Sequence, residues 1–352
     1  MPSVDPPAPT PINSGTFPLL TREDVLNCSF SSWYGKFRRI TIKSKIIPLP
    51  EDFVEYLNAD GVFVPQDNTM VSSLSDDEEI DNVESIADES DDEKSKRNIP
   101  PSFPAIESQI REAIEEFEGA VFPKLNWSSP RDAYWISSTG SLKCSSPTDV
   151  FLLLKASDFI AHDLSHAFER CHNQSNNEES RPPVFELVLR KWYDLPPSME
   201  FRCFIRDGKL IAISQRDMSY YPFLEEMRDE LRQKIVDFYE CSIQGLFPSQ
   251  HFVLDVYMTR NRDKLFIIDF NPFSLSTDSL LFSWQDIISL PNATAPEIRF
   301  IASHAEANAA RCAAAPFSHN RYPSDIVELS DGESIADFAR RFHQEMRNVR
   351  ET

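Results

Sequence analysis

The chain has 352 residues, 41% of them hydrophobic and 11% aromatic, which is enough for two packed lobes and too long for one simple layer. A net charge of −21 excludes a general nucleic-acid or anionic-membrane surface, since both demand basic character. Six scattered cysteines without a CxxC pair exclude a disulfide-dense secreted scaffold, and no apolar run approaches the ~18 residues of a membrane span, so a cytoplasmic protein is expected.

Residues 1–16 are Pro-rich and are expected to form a disordered leader. A first lobe is expected over 17–165. Within it Asp24–Phe37 reads as helical and carries the aromatic cluster Phe30, Trp33, Tyr34 and Phe37. Arg39–Ile47 reads as a strand and Glu51–Leu57 as a short helix. Residues 66–98 form an acidic insert predicted to be disordered, with 12 acids and 3 bases between 67 and 98. Ser75 and Ser90 each open a Ser-Asp-Asp-Glu run, which fits acid-directed phosphorylation and equally a solvated loop.

Apolar spacing predicts a helix over Ile106–Phe117, a strand over Ala120–Leu125, a second strand over Ala133–Ser137 and a helix over Thr148–Ile160. A second lobe is expected over 166–304 and reads as strongly β. Its strands are Val184–Trp192, Glu200–Arg206, Leu210–Gln215, His251–Met258 and Leu265–Phe270, with a hairpin turn at Asp207-Gly208. Leu224–Tyr239 reads as one long amphipathic helix. A tail over 305–352 is expected to end in a helix, Ser334–Arg347.

The chemistry concentrates in the last hairpin. Closing it around Arg262 pairs residues whose numbers sum to 524, which sets Asp255 opposite Asp269, with Asn271 on the same face two residues on. Two carboxylates so close among apolar neighbours must share a proton, pair with bases or bind a cation. With an amide oxygen they make a hard-oxygen set suited to Mg²⁺, although a strand that simply ends in a turn offers the same Asp-Phe-Asn-Pro string. On this reading Asp269→Ala leaves the metal-free fold intact or slightly stabilised, because a like-charge contact disappears. No Gly-rich phosphate loop exists, so any phosphate must be held by side chains. The candidates are Lys124 and the following loop, which includes Asn126, Arg131 and Ala133, then Arg190, Lys191, Arg202 and Arg216. Each base taken singly also fits a surface charge or a salt bridge. The order strand-Lys-loop, linking strand, E-x-R hairpin, Asp strand and D-x-N strand is what singles them out.

That order resembles an ATP-grasp fold. The strings Ser29-Phe-Ser-Ser-Trp-Tyr, Phe122-Pro-Lys-Leu-Asn-Trp-Ser-Ser-Pro-Arg-Asp-Ala, Leu187-Val-Leu-Arg-Lys-Trp, Glu200-Phe-Arg-Cys-Phe, Ile213-Ser-Gln-Arg-Asp and Ile268-Asp-Phe-Asn-Pro-Phe are similar to the cell division cycle protein 123 family. The resemblance implies an α+β, two-lobed ATP-grasp fold with nucleotide between the lobes. It also implies an ATP- and Mg²⁺-binding chaperone, monomeric on its own, that binds the gamma subunit of eukaryotic translation initiation factor 2 and promotes assembly of the heterotrimer. Lys124, Asn126, Arg131, Ala133, Arg190, Lys191, Arg202 and Arg216 would then surround ATP, and Asp255, Asp269 and Asn271 would hold the metal. Gly35 departs from the family pattern, which has Pro after Trp-Tyr, and the match weakens beyond Pro291. An ATP-grasp ligase or kinase is the alternative reading. His162, His166, Cys171 and His172 lack a second ligand pair at zinc spacing and read as part of a connecting helix.

Overall fold

The computed structural model describes residues 17–59, 102–137, 139–172, 181–292 and 295–313. The leader, the acidic insert and the terminal helix expected from sequence lie outside these residues.

Two sheets organise the molecule, and the α+β class read from sequence is what the chain adopts. The smaller is antiparallel, in the order β1 (Ser44–Pro48), β3 (Glu186–Lys191), β2 (Val121–Lys124). The larger runs β7 (Leu265–Pro272), β6 (Phe252–Met258), β4 (Glu200–Arg206), β5 (Lys209–Gln215), β8 (Glu297–Arg299), antiparallel except for the parallel β5–β8 pair. The β4–β5 turn uses Asp207 and Gly208, both at positive φ (53° and 66°), as a two-residue hairpin needs. A Cβ on Gly208 would also sit 2.9 Å from Gln250 Oε1.

Helices break where single residues interrupt the pattern. The predicted first helix is two, α1 (Arg22–Asn27) and α2 (Phe30–Phe37), because Ser29 turns extended and the Phe30 amide donates to the Asn126 carbonyl (2.8 Å). α3 (Glu51–Asn58) and α4 (Pro104–Glu116) follow. The predicted Thr148–Ile160 helix divides into α5 (Pro147–Lys155) and α6 (Asp158–Ser165), with Ser157 capping α6. Leu224–Tyr239 divides at Met227 into α7 (Pro222–Glu226) and α8 (Arg228–Ser242). α9 (Trp284–Ser289) and α10 (His304–Ala313) complete the set. The strand predicted over Ala133–Ser137 is instead a 3₁₀ turn, Arg131–Ile136, which buries Asp132, Ala133 and Ile136 at threefold rather than twofold spacing.

One core lies on the small sheet, where Leu187 and Leu189 of β3 meet Phe53, Ile110 and Phe151. A second lies on the large sheet, where Phe201, Leu254 and Phe270 meet Leu231 and Ile235 of α8, and a smaller third gathers Phe204 and Val253 of that sheet with Phe273 and Ile287. These cores do not follow a single cut of the chain near residue 165. Phe30, Trp33 and Phe37 of α2 join the large-sheet core, whereas β3, from the later half, is the central strand of the small sheet. The sheets meet at an edge: Thr41 bridges Ile267 of β7, its hydroxyl donates to the Ile267 carbonyl (2.7 Å), and the Ile267 amide donates to the Ile40 carbonyl (2.8 Å). No helix among the described residues is long and apolar enough to cross a membrane.

Candidate functional site

On the β6–β7 hairpin Asp255 pairs with Asp269, and the sum of 524 holds from there to Phe252–Pro272. Beyond Asp255 a bulge shifts the register by one, so that Val256 meets Ile267 and Ile268 is the extra residue. The bulge therefore falls between the turn and the carboxylates and leaves their pairing intact. Asn271 lies opposite Val253, and its amide nitrogen approaches Asp255 Oδ2 at 3.4 Å.

β4 adds Arg202, in register with Asp255. Its Nε and Nη2 grip Asp255 Oδ1 and Oδ2, each at 2.8 Å, and its Nη1 donates to the Asp278 carbonyl (2.7 Å). Arg216, just past β5, joins Asp255 Oδ2 (3.2 Å) to Glu200 Oε2 (2.9 Å). Asp255 is 1% exposed, and burial alone would raise its pKa. Arg202, then Arg216 and Arg131, outweigh that and hold the carboxyl well below the usual carboxylate range.

The small sheet supplies the other side. Lys124 pairs with Val188, and Phe122 with Arg190, so Lys124 and Arg190 share the face that β2 and β3 turn to the large sheet. Lys124, 1% exposed, donates to Asp269 Oδ2 at 2.6 Å; burial lowers its pKa, and Asp269 partly restores it. Arg190 donates Nη1 to the carbonyl of the bulged Ile268 (2.6 Å) and Nη2 to Thr41 Oγ1 (3.3 Å), while its Nε is buried without a partner. The Phe30 ring lies 5.4 Å from Lys124 Nζ and 5.5 Å from the Arg190 guanidinium.

Arg131 is the remaining cation of this cluster. It is exposed as a residue, yet desolvation and then Arg216 push its pKa down to about 10, while Glu200 and Asp255 pull the other way. It makes no side-chain hydrogen bond or ion pair among the described residues. Two of the five clustered cations, Arg131 and Arg190, therefore lack a carboxylate partner, beside carboxylates that the other three already neutralise.

The structure does not bring every predicted residue here. Lys191 points from the opposite face of β3 and pairs with the exposed Glu118 (2.8 Å). Asn126 is buried and fully engaged: its amide donates to the Val184 carbonyl (3.0 Å), and its oxygen accepts from the Glu186 amide (2.9 Å). Ala133 is wholly buried in the small-sheet core. These two shape the cluster without facing it. His162 and His166 lie one turn apart with rings 5.9 Å from each other. Among the described residues no group of three or more His, Cys, Asp or Glu is placed to hold a metal. The candidate trio consists of two carboxylates and one amide.

Bases relieve the carboxylate pair, one of the three outcomes its charge argument allowed. The trio still fits Mg²⁺ by its donors. Each carboxylate has about four lone-pair positions, and Asp269 uses one for Lys124 and one for the Phe270 amide (3.1 Å). Among the described residues the Asn271 oxygen accepts no hydrogen bond, and hard oxygens of this kind are what Mg²⁺ takes. Asp269→Ala is not neutral for the fold, however, since it would strand a buried Lys124.

The sequence reading also missed Asp163. This carboxylate is buried on α6 and accepts from the Ser128 amide (2.7 Å) and hydroxyl (2.8 Å). Burial pushes it up to about 6 against these hydrogen bonds and Lys124. A raised carboxyl binds its proton more tightly in the folded chain, so its contribution to stability is greatest below about pH 4 and is lost as pH rises to about 6. Equilibrium unfolding of Asp163→Asn is expected to lack this component, worth roughly 3 kcal/mol between those pH values.

Comparison with known proteins bears on the whole chain. A protein of Schizosaccharomyces pombe called Translation initiation factor eIF2 assembly protein is 42% identical over 334 residues, spanning 92% of this chain and 96% of its own. A Candida glabrata protein called Cell division cycle protein 123 is 39% identical over 336 residues, spanning 92% and 93%. The solved structure of Cdc123 from Schizosaccharomyces pombe superposes with a TM-score of 0.65 at 40% identity, covering 81% of this chain and 99% of that one. The sequence model of the D123 family matches residues 33–330. With the fold and most of its length shared, the chain belongs to the D123 family.

Proposed function

We propose that this protein is an ATP- and Mg²⁺-binding assembly factor for translation initiation factor 2. The observation that carries the nucleotide part is the pair of cations without a carboxylate partner, Arg131 and Arg190, set beside the Asp255–Asp269–Asn271 oxygens in a chain that is otherwise strongly acidic. A polyphosphate supplies the anions those two lack. Asp269 and Asn271, the more accessible oxygens, would hold the cation, with Asp255 behind them. Bound Mg²⁺ would supply positive charge to the β- and γ-phosphates. Lys124 reaches this point from the small sheet and Arg202 and Arg216 from the large one, so a ligand touching all three ties the sheets together.

The relatives' names, which speak of assembly of this factor, support the partner, and the resemblance suggests its gamma subunit. Asn126 and Ala133 enter as buried residues behind the cluster rather than as charged contacts, and Lys191, on the opposite face of β3, stays out of it. A cytoplasmic setting goes with that partner. The lobes inferred from sequence, 17–165 and 166–304, would correspond to the small-sheet and large-sheet sides of the cluster, with α2 and β3 exchanged between them.

Calorimetry with Mg·ATP is the direct test, and saturable one-to-one binding is expected. Asp269→Asn is expected to weaken binding about tenfold or more in Mg²⁺ and to have little effect in EDTA. Capture of the isolated gamma subunit by this protein, strengthened by Mg·ATP, tests the partner. Release of ADP at multiple turnover, stimulated by an acceptor, would favour the ligase or kinase reading instead.

A further inference from the structure

Arg131 lies in the electrostatic field of the other charged side chains, yet among the described residues none of them holds it. Its electrostatic neighbours are Arg216, Glu200, Asp255 and Arg202, all from the large sheet. A rigid backbone fixes the direction of the Cα–Cβ bond of such a side chain and so narrows the volume its guanidinium can reach. The backbone here is fastened at two points, both to α6. Three residues before Arg131, Ser128 gives its amide and hydroxyl to the two oxygens of Asp163 (2.7 and 2.8 Å). One residue after it, Asp132 reaches the start of α6, accepting from the Ser157 hydroxyl (2.5 Å) and the Asp158 and Phe159 amides (2.6 and 3.2 Å). An anion at a helix N-terminus also meets the favourable end of the helix dipole.

Both carboxylates are buried, Asp163 at 4% and Asp132 at 7% exposure. Burying a carboxylate is costly, and apolar side chains would hold a purely structural turn at less cost. Hydrogen bonds give what apolar contact does not, a fixed direction for the segment between them. The turn is further closed by the Leu125 amide, which donates to the Ser128 carbonyl (2.8 Å), and by Trp127, whose Nε1 donates to the Val25 carbonyl (2.8 Å) and whose ring meets Phe168 edge-on.

We infer that α6 is a mount for Arg131, and that Asp163 and Asp132, through Ser128 and the α6 N-terminus, are positioning residues that hold this arginine ready for the nucleotide phosphates. The inference rests on the nucleotide reading given above. Neither carboxylate touches the ligand. They act by fixing the backbone that carries Arg131 before binding, so their removal weakens affinity only while Arg131 is present.

A double-mutant cycle between Ser128→Ala and Arg131→Ala, read by calorimetric titration with Mg·ATP, tests it. Ser128 is chosen because it is only partly buried and its loss removes one hydrogen bond without emptying the core; circular dichroism and denaturant unfolding verify that each variant folds. Ser128→Ala is expected to weaken Mg·ATP binding about tenfold in the unmutated background and to have no effect in the Arg131→Ala background. Ser128→Thr keeps the hydroxyl and is expected to restore affinity, and Asp163→Asn is expected to behave as Ser128→Ala does. Equal losses in both backgrounds, or no loss in either, would overturn the mount while leaving the nucleotide site standing. An unmutated chain that binds no Mg·ATP would overturn the nucleotide reading and the mount with it.

Discussion

Asp255→Ala is expected to lower the unfolding free energy of the ligand-free protein by about 3–5 kcal/mol, the cost of stranding a buried ionic partner. Arg202, buried against the same strand, would lose both oxygens of its bidentate contact, and Arg216 would keep only Glu200. Denaturant unfolding measures this directly. The double variant Arg202→Met, Asp255→Leu replaces the pair with apolar groups and is expected to recover most of the loss. The pair also predicts a pH response. Its folded pKa lies below the unfolded value, so the stability it contributes is fully present above about pH 4, where an unfolded Asp is charged, and is lost as pH falls through the depressed folded pKa. Acid unfolding of Asp255→Asn should lack that component, while the opposing Asp163 component remains. A loss below 1 kcal/mol in Asp255→Ala would show that the salt bridge is solvated and not the centre of the cluster.

Lys124→Met is expected to weaken Mg·ATP binding about 100-fold, the scale of a charge-assisted contact removed from a desolvated site. Methionine has nearly the length of the lysine stem, so the fold should survive, and the freed Asp269, 18% exposed, stays in reach of water. The ligand-free stability is therefore expected to change much less than in Asp255→Ala. Thermal shift with and without Mg·ATP reads both quantities in one experiment, since a ligand that binds only the folded chain raises its melting temperature by mass action. A variant that retains wild-type affinity would remove Lys124 from the site and leave it as a structural bridge between the sheets.

The two substitutions differ because the carboxylates differ in depth. Asp255 lies on β6, an inner strand with a neighbour on each side, and is closed off from water. Asp269 lies on β7, at the edge where the small sheet arrives. An edge carboxylate is free to exchange a lysine for a cation; an inner one gripped by two arginines keeps them.

Local chemistry made much of this legible. Asp207-Gly208 marks a hairpin because both residues must take positive φ, and β4 spans the residues its alternation predicts. The Asp255–Asp269 pairing follows from the position of a turn and twofold strand geometry, and the bulge that would have flipped the faces lies beyond it. Strings around Lys124, Arg202 and Asp269 point to the family without any coordinates. Helix ends were less legible: Ser29, Ser157 and Met227 interrupt otherwise helical spacing, and apolar periodicity does not register a single residue in extended or turn geometry. The 3₁₀ turn at Arg131–Ile136 was read as a strand because its aromatic and β-branched content favours one; the pull of Asp132 toward α6 overrides that preference.

By itself, then, the sequence determined most of the elements, the carboxylate pair, the family and the set of bases from which a phosphate site is drawn. Only the tertiary structure decided which base meets which acid. Lys124 and Asp269 are 145 residues apart, and Arg190 reaches Ile268 across 78. Such partners depend on how one sheet edge is set against another, a long-range packing outcome that periods of 2 and 3.6 residues do not encode. The same packing sends Lys191 to the far face, encloses Asn126 and Ala133, and leaves Arg131 and Arg190 as the two cations of the cluster without a carboxylate among the described residues.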